Sequence, residues 1–161
     1  MSELDSYRER LVAAREALSA TPLLRPGESG PPDEKTGERW DRTNVLGHLA
    51  EMLPYWTSQT RAVIGGSGEM GRGEAGYARR REGIDSGKVL SEADLRAQIE
   101  TAVQGLLALL GEMRDEDLDR PVVYRPKDGD RQETVRSVLE ELMVGHLEAH
   151  VRQLQELTPG Q

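Results

Sequence analysis

Cysteine and phenylalanine are absent from the sequence, and tyrosine and tryptophan together supply an aromatic content of only 4%. Without cysteine the chain has no disulfide, no thiolate metal ligand and no cysteine nucleophile, so any thiol chemistry must use a thiol from outside. With so few aromatic residues, the core must be built from Leu, Val, Ala and Met. That composition is typical of packed helices.

Long hydrophobic runs are also missing. No stretch approaches the roughly 18 consecutive apolar residues that a membrane-spanning helix needs. The first ten residues, MSELDSYRER, are acidic and polar, unlike a signal peptide. These absences predict a cytoplasmic protein with no membrane partner. The length of 161 residues predicts a single domain over residues 1–161, with enough chain for one hydrophobic core.

Positive charge is in deficit, with 21 basic against 29 acidic residues and a net charge of −8. An acidic protein repels the phosphate backbone of nucleic acids, because their binding depends strongly on lysine and arginine. We therefore expect no nucleic-acid partner. The hydrophobic share of 36% and the charged share of 31% are those of a folded chain with a well-solvated surface.

Four segments have apolar residues at steps of three and four, which is the spacing of an amphipathic helix. Hardly a strand separates them, so the sequence predicts an all-α protein, a four-helix bundle with a long first connection. The predicted helices, with their capping residues in parentheses, are residues 3–20 (Ser2), a helix that begins after Trp40 (Asp41 or Thr43), one that opens at Ser91, and one from about Glu133 to Leu157 (Asp130 or Thr134).

The connections are marked by proline and glycine. Residues 22–37 contain four prolines and three glycines, which predicts a long loop. The glycine-rich residues 65–76 are predicted to be a flexible connection; they contain the string G-x-G-x-x-G twice, but without the preceding strand that a dinucleotide site requires. Residues 121–126, PVVYRP, are predicted to be extended or a short strand before a turn.

The sequence has three histidines, and two of them lie four residues apart near the C-terminus, in GHLEAHVRQL. On the fourth predicted helix, His146 and His150 continue the apolar stripe of Leu142 and Leu154. On the second predicted helix, His48 aligns with apolar residues in the same way. An i, i+4 pair places two imidazoles on one helix face, where both can reach a divalent ion, so a third histidine from a facing helix would complete a metal site.

Each histidine also has a plainer interpretation. A single buried histidine is usually a core residue that makes one hydrogen bond, and the motif H-x-x-x-H alone is unspecific. Burying three imidazoles without partners, however, costs about 1–3 kcal/mol for each. A bound metal removes that cost, so the three histidines together favour a metal site.

Two stretches, WDRTNVLGHLAEMLPYW and ELMVGHLEAHVRQLQEL, with a histidine in the first and two in the second, resemble the DinB/YfiT-like metalloprotein superfamily over nearly the whole chain. The resemblance implies a DinB-like four-helix bundle in which His48, His146 and His150 bind a divalent metal, commonly zinc or nickel. It also implies homodimers.

Characterised members of that superfamily include transferases of low-molecular-weight thiols and mycothiol-dependent maleylpyruvate isomerases. The isomerases usually carry glutamate where this chain has His146, and they have a further C-terminal domain that would begin after Leu157. Both differences place the chain outside the isomerase subset.

Three functions follow as alternatives. The first is an enzyme in which the metal activates an external thiol, or water in a related hydrolase, against a small-molecule substrate. The second is a non-catalytic dimer that binds a metal or a small ligand. The third is an interaction protein without metal, in which the histidines are ordinary core residues.

Other residues are candidates for supporting roles. Glu51 and Glu148 lie close to the histidines in sequence and are candidate general bases, although solvated helix faces are the simpler expectation. Tyr55 and Trp56 are candidate walls of the cavity. The three arginines of YARRREG, residues 77–83, form either an anion-binding cluster or a solvated charge run.

Overall fold

The computed structural model describes residues 1–21 and 37–157, so the predicted loop at 22–37 lies almost entirely outside the described residues. None of the helices in these ranges is both long enough and apolar enough to cross a bilayer. The helices are α1 (Glu3–Ala20), α2 (Arg42–Ile64), α3 (Gly73–Ser86), α4 (Glu92–Glu112), α5 (Val135–Val138) and α6 (Val144–Leu157), with a 3-10 turn at Asp115–Asp119 and a π-helical turn at Leu139–Met143.

Side-chain caps define where the helices begin. The Ser2 hydroxyl accepts from the backbone N–H of Asp5 at the start of α1, and the Asp41 carboxylate accepts from that of Asn44 at the start of α2. Ser91 caps α4 and Thr134 caps α5 in the same way. Each cap satisfies a backbone donor that the first helical turn leaves without a partner. The predicted helix starts are therefore confirmed.

The four predicted helices pack into a bundle, with α5, the π-helical turn and α6 together forming the fourth. On α1 and α4 the predicted apolar stripes are buried, as at Leu11 (0% exposed) and Leu106 (0%). The core that they share with α2 and the C-terminal run contains almost no aromatic side chains, in agreement with the composition. The all-α bundle is confirmed, with a small sheet beside it.

The sheet has three strands in the order β1-β2-β3: Glu69–Gly71, Pro121–Arg125 and Arg131–Thr134. Strand β1 is parallel to β2, and β2 forms an antiparallel hairpin with β3. The expectation of an extended segment at 121–126 is confirmed. The expectation of a flexible connection at 65–76 is wrong, because this segment contains β1 and the start of α3.

The glycines of this segment allow neighbouring backbone and side chains to approach closely. A side chain at Gly71 would meet the backbone of Arg125 in the neighbouring strand, and one at Gly76 would meet the side chains of Arg72 and Tyr55. Gly73, with φ of 59°, has the left-handed conformation that starts α3 directly after β1. The high glycine content, from which we expected a flexible segment, thus allows tight packing here.

Helix α3 is a fifth long helix that the apolar pattern does not reveal, since only Gly76 and Ile84 are buried on it. It packs against α2 through backbone contacts. A methyl group at Gly47 would overlap the carbonyl oxygen of Gly83, and one at Gly87 would overlap that of Thr43. Within this packing, Arg80 of α3 lies over the ring of Trp40, which directly precedes the cap of α2.

The π-helical turn Leu139–Met143 changes the buried face of the last helix. An extra residue in one turn shifts all later residues around the helix axis. The buried residues of α6 are Val144, Leu147, Val151 and Leu154, so the predicted stripe through His146 and His150 is wrong by one position. Both histidines are half-buried at the edge of the core.

Candidate metal centre

His48 lies in the first half of α2 and is 4% exposed. Its Nδ1 atom is buried and has no hydrogen-bond partner among the described residues. Burial lowers the pKa of His48 well below the usual 6.5, and the nearby His150, His146, Arg80 and Arg72 lower it further by charge repulsion. The imidazole is therefore neutral at physiological pH and has a lone pair for a ligand.

His146 and His150 lie one turn apart on α6 and face His48. The Nε2 atom of His146 is 3.1 Å from Nε2 of His48 and 2.9 Å from Nε2 of His150. One ligand atom from each of the three residues lies within 4.8 Å of the others. The expectation that two helices bring all three histidines of this chain to one point is confirmed.

Gln153 determines which nitrogen of His150 faces this point. Its side-chain oxygen is 2.8 Å from His150 Nδ1, so Nδ1 donates a hydrogen bond to Gln153. In the neutral ring the other nitrogen, Nε2, then carries a lone pair and no hydrogen. A metal-ligating histidine commonly has such an outer partner, which fixes its tautomer and orientation.

Neutral imidazoles alone do not satisfy this cluster. In one arrangement, His146 Nε2 donates its single hydrogen to His150 Nε2. The Nε2 of His48 then faces His146 Nε2 at 3.1 Å either with no hydrogen between the two nitrogens or with two hydrogens that clash. If His48 donates to His146 instead, the lone pairs of His146 and His150 face each other at 2.9 Å. A cation at the centre would accept all three lone pairs at once.

The spacing of the cluster fits a divalent ion. Nitrogens at about 2.0–2.1 Å from one ion are about 2.9 Å apart at right angles and about 3.4 Å apart at tetrahedral angles. The two short separations of 2.9 and 3.1 Å fall in this range. Three neutral nitrogen donors also suit zinc and nickel better than magnesium or calcium, which prefer oxygen.

Trp40 is the aromatic residue beside the cluster. Its ring centroid is 5.6 Å from that of His150, with nearly parallel planes, and 5.0 Å from that of His48. The sequence had suggested Tyr55 and Trp56 as walls of the site, but their rings pack elsewhere. The Tyr55 hydroxyl donates to the Gly71 carbonyl at 2.7 Å, and the Trp56 ring packs against Tyr124. Trp40 directly precedes Asp41, the cap of α2, and this position was the one sequence signal that could have placed Trp40 near the site.

The two candidate bases are engaged in ion pairs. Glu51, with a side chain only 10% exposed, binds the buried Arg72 guanidinium through both carboxylate oxygens at 2.7 and 2.9 Å. Glu148 forms an ion pair with Arg10 of α1. The expectation of a solvated face is therefore wrong for Glu51. Both carboxylates join separate elements: Glu51 joins α2 to Arg72 at the start of α3, and Glu148 joins α6 to α1.

The importance of Gln153 leads to a prediction for its removal. We expect Gln153→Ala to weaken zinc binding by roughly 10–100-fold, because His150 loses the partner that orients Nε2 toward the ion. Competition with a chromophoric chelator measures the affinity. Gln155→Ala is the matched control, since Gln155 is exposed on the same helix two residues away. Equal zinc affinity in the Gln153 variant and the wild type would contradict the assigned hydrogen bond.

The fold and the cluster together define a helical-bundle protein with a three-imidazole centre between two of its helices. The chain belongs to the DinB superfamily, whose family model matches residues 3–154. This confirms the resemblance found in the sequence. No curated protein matches the chain in a sequence search.

Two solved structures have a similar fold. The colibactin self-resistance protein ClbS, crystallised in complex with a dsDNA, is 13% identical, with a TM-score of 0.69 over 99% of this chain and 95% of ClbS. A Streptococcus pneumoniae protein is 11% identical, with a TM-score of 0.62 over 98% of this chain and 92% of that protein. At these identities the comparisons show the fold alone.

The ClbS complex corrects one expectation. Net charge had led us to exclude nucleic acid as a partner, and that exclusion is wrong, because a structural neighbour is crystallised with dsDNA. The physical reason is that net charge is a sum over the whole surface. Residues 69–90 and 120–134, which include α3 and the β2–β3 hairpin, carry nine basic and seven acidic side chains. A local surface can thus differ in sign from the whole chain.

Proposed function

We propose that His48, His146 and His150 bind one divalent ion through their Nε2 atoms, and that the protein is a metal-dependent enzyme acting on a small molecule. The observation that carries this proposal is the convergence of the three nitrogens, two pairs of which are 2.9 and 3.1 Å apart. Zinc and nickel are the ions that the donor set favours. The superfamily and the cluster support metal binding in general and leave the choice of ion to measurement.

A divalent ion held by neutral imidazoles keeps its full charge and lowers the pKa of a thiol or water that binds beside them. The protein residues hold and shield this position. His48 is anchored in the buried part of α2, Gln153 orients His150, and the Trp40 ring covers one side of the cluster. His146 and His150 are half-buried, so the cluster keeps some contact with solvent.

The nucleophile is external in this proposal. The chain contains no cysteine, and Glu51 and Glu148, the two carboxylates considered as bases, are in ion pairs. A low-molecular-weight thiol meets the requirement, and the superfamily resemblance favours it. In the transfer, the thiol proton passes to solvent, a carbon–sulfur bond forms at the electrophile, and the leaving group departs with its bonding electrons.

A conjugation assay tests the enzyme. Zinc-loaded protein is mixed with chlorodinitrobenzene and each of a panel of low-molecular-weight thiols, and chloride release is followed. We expect one thiol to react at least about tenfold faster than without protein at pH 7, since a free thiol is only a few per cent ionised there. Metal-free protein is the control. Equal rates with and without metal for every thiol, and for ester substrates without thiol, would contradict an enzyme.

The alternative is a non-catalytic dimer of the same fold that binds a metal or a small ligand. The observation that favours it is the stacking of Trp40 on His150, which covers part of the cluster. Stoichiometric zinc without turnover of any substrate would select this alternative. The homodimer and the cytoplasmic location stay predictions, the first measurable by sedimentation of the purified protein.

A further inference from the structure

The three consecutive arginines of α3 point to different surroundings. The Arg79 guanidinium lies over the Tyr55 ring at 5.6 Å. Arg81 is exposed and lines a hollow of about 370 Å³ together with Tyr77 and Lys127. Arg80 lies over the ring of Trp40, with its central carbon 5.6 Å from the ring centroid. Of the three, Arg80 is therefore the one that faces the histidine cluster.

Trp40 connects Arg80 with the imidazoles. Its ring is tilted against His48 at 5.0 Å and is nearly parallel to His150 at 5.6 Å, and Arg80 lies on the same indole. The guanidinium and two of the three imidazoles are thus neighbours of one indole ring.

The bond that Arg80 makes in the described part of the structure is weak and accessible. Its Nη2 donates to one carboxylate oxygen of Glu38 at 3.2 Å, and the Glu38 side chain is 38% exposed. An arginine has five N–H donors and binds a carboxylate best through two parallel bonds. A single part-buried bond at 3.2 Å is weaker than a two-bond pair, so an incoming carboxylate can compete with Glu38.

Arg72 is an example of an arginine whose hydrogen bonds are used within the protein. It makes both bonds to Glu51 at 2.7 and 2.9 Å and a third to the Gly76 carbonyl at 3.0 Å, and its side chain is 4% exposed. Its role is to join α2 and α3. Arg80, with its side chain 21% exposed and one hydrogen bond to the described residues, has donors left for a ligand.

We propose that Arg80 is the specificity-determining residue of the site and binds a carboxylate of the small molecule held at the histidine cluster. The inference rests on the proposed function and adds a substrate class to it: small carboxylic acids, with the carboxylate carried by either the thiol or its electrophile. Trp40 supplies the flat apolar surface between the two charged points. Neutral substrates of the same size use the imidazole end alone.

Matched pairs of ligands test the proposal in zinc-loaded protein. Titration calorimetry compares ω-mercaptocarboxylates of increasing chain length with mercaptoalcohols of the same length. At the length that reaches Arg80, we expect the carboxylate to bind roughly ten- to a hundredfold more tightly, the range for a hydrogen bond to a charged group. In a second series, protein saturated with 2-mercaptoethanol is titrated with benzoate or benzamide, which places the carboxylate on the electrophile side.

Three variants distinguish Arg80 from general electrostatics. Arg80→Gln should abolish the carboxylate preference, whereas Arg81→Gln, which removes the same charge one residue away, should retain it. Glu38→Gln should strengthen carboxylate binding, because it removes the competing partner. All three variants should still bind one equivalent of zinc, because none of the three histidines is changed.

The possible results separate this inference from the proposed function. A carboxylate preference in either series that disappears only in Arg80→Gln supports the inference. Tight zinc and thiol binding without a preference in either series, or with a preference that Arg80→Gln retains, overturns the inference and leaves the proposed function intact. Failure of the wild type to bind zinc overturns both.

Discussion

Replacing His146 and His150 by alanine is expected to abolish stoichiometric zinc binding. The wild type should bind one ion per chain, whereas the double variant retains only His48, and a single imidazole does not hold a divalent ion against dilution or a chelator. The measurement is metal analysis after dialysis, with mass spectrometry of the intact protein under native conditions. This is the largest effect on binding that we expect.

The controls for this result come from the helix itself. Both histidines are half-buried at the edge of the core, so the double variant should keep its helical circular dichroism. Gln155→Ala, on the exposed side of the same helix, should keep the ion. Zinc retained at one equivalent by the folded double variant would contradict the ligand assignment and point to other donors.

The Gly47→Ala variant is expected to lose about 2–3 kcal/mol or more of unfolding free energy. The added methyl group would overlap the carbonyl oxygen of Gly83 and press against the backbone at Ile84 and Gly87. No side-chain rotation relieves a clash with backbone, so α3 must move away from α2. Urea unfolding of the two proteins measures the difference. Because α3 carries Arg80, a folded variant should also bind carboxylate ligands more weakly.

Gly105→Ala is the matched control for Gly47→Ala. Gly105 also lies inside a long helix, α4, but a methyl group there meets no atom of the described residues. The substitution should stabilise the protein by about 0.5–1 kcal/mol, the helix-propensity difference between glycine and alanine. A Gly47→Ala variant as stable as Gly105→Ala would contradict the close α2–α3 contact.

The sequence was sufficient to predict the parts of the fold that depend on local chemistry. Ser2, Asp41, Ser91 and Thr134 cap their helices because a short polar side chain binds the backbone of the first turn. The spacing of apolar residues located the four bundle helices, since a helix that buries one face has an apolar residue at every third or fourth position. These signals act within one turn of helix and need no knowledge of distant residues.

Helix α3 was missed because its packing depends on the absence of side chains. It contacts α2 through glycine backbone, and its composition is mainly charged. An apolar pattern therefore has nothing to detect. The glycine-rich segment before it was read as mobile for the same reason, although its glycines allow β1 and α3 to approach their neighbours.

The convergence of the three histidines was predictable from the sequence, and their surroundings were less so. In a chain with no cysteine, three histidines aligned with apolar helix positions were the evident candidates for a metal site. Trp40 was missed because its role depends on how close the start of α2 comes to α6 in space. Gln153 was missed although it follows His150 by three residues on the same helix, a spacing that the sequence shows. Arg80 could not be distinguished from Arg79 and Arg81 until the orientation of α3 was known.

The π-helical turn Leu139–Met143 determines how the centre meets the solvent. One residue advances an α-helix by about 100°, so the extra residue acts as a phase shift that moves His146 and His150 from the middle of the buried face to its rim. In a continuous α-helix the imidazoles would be buried among the leucines, and an ion bound there would exchange very slowly. With the shift, an ion bound by these histidines would be in reach of solvent and of a ligand while the core stays closed.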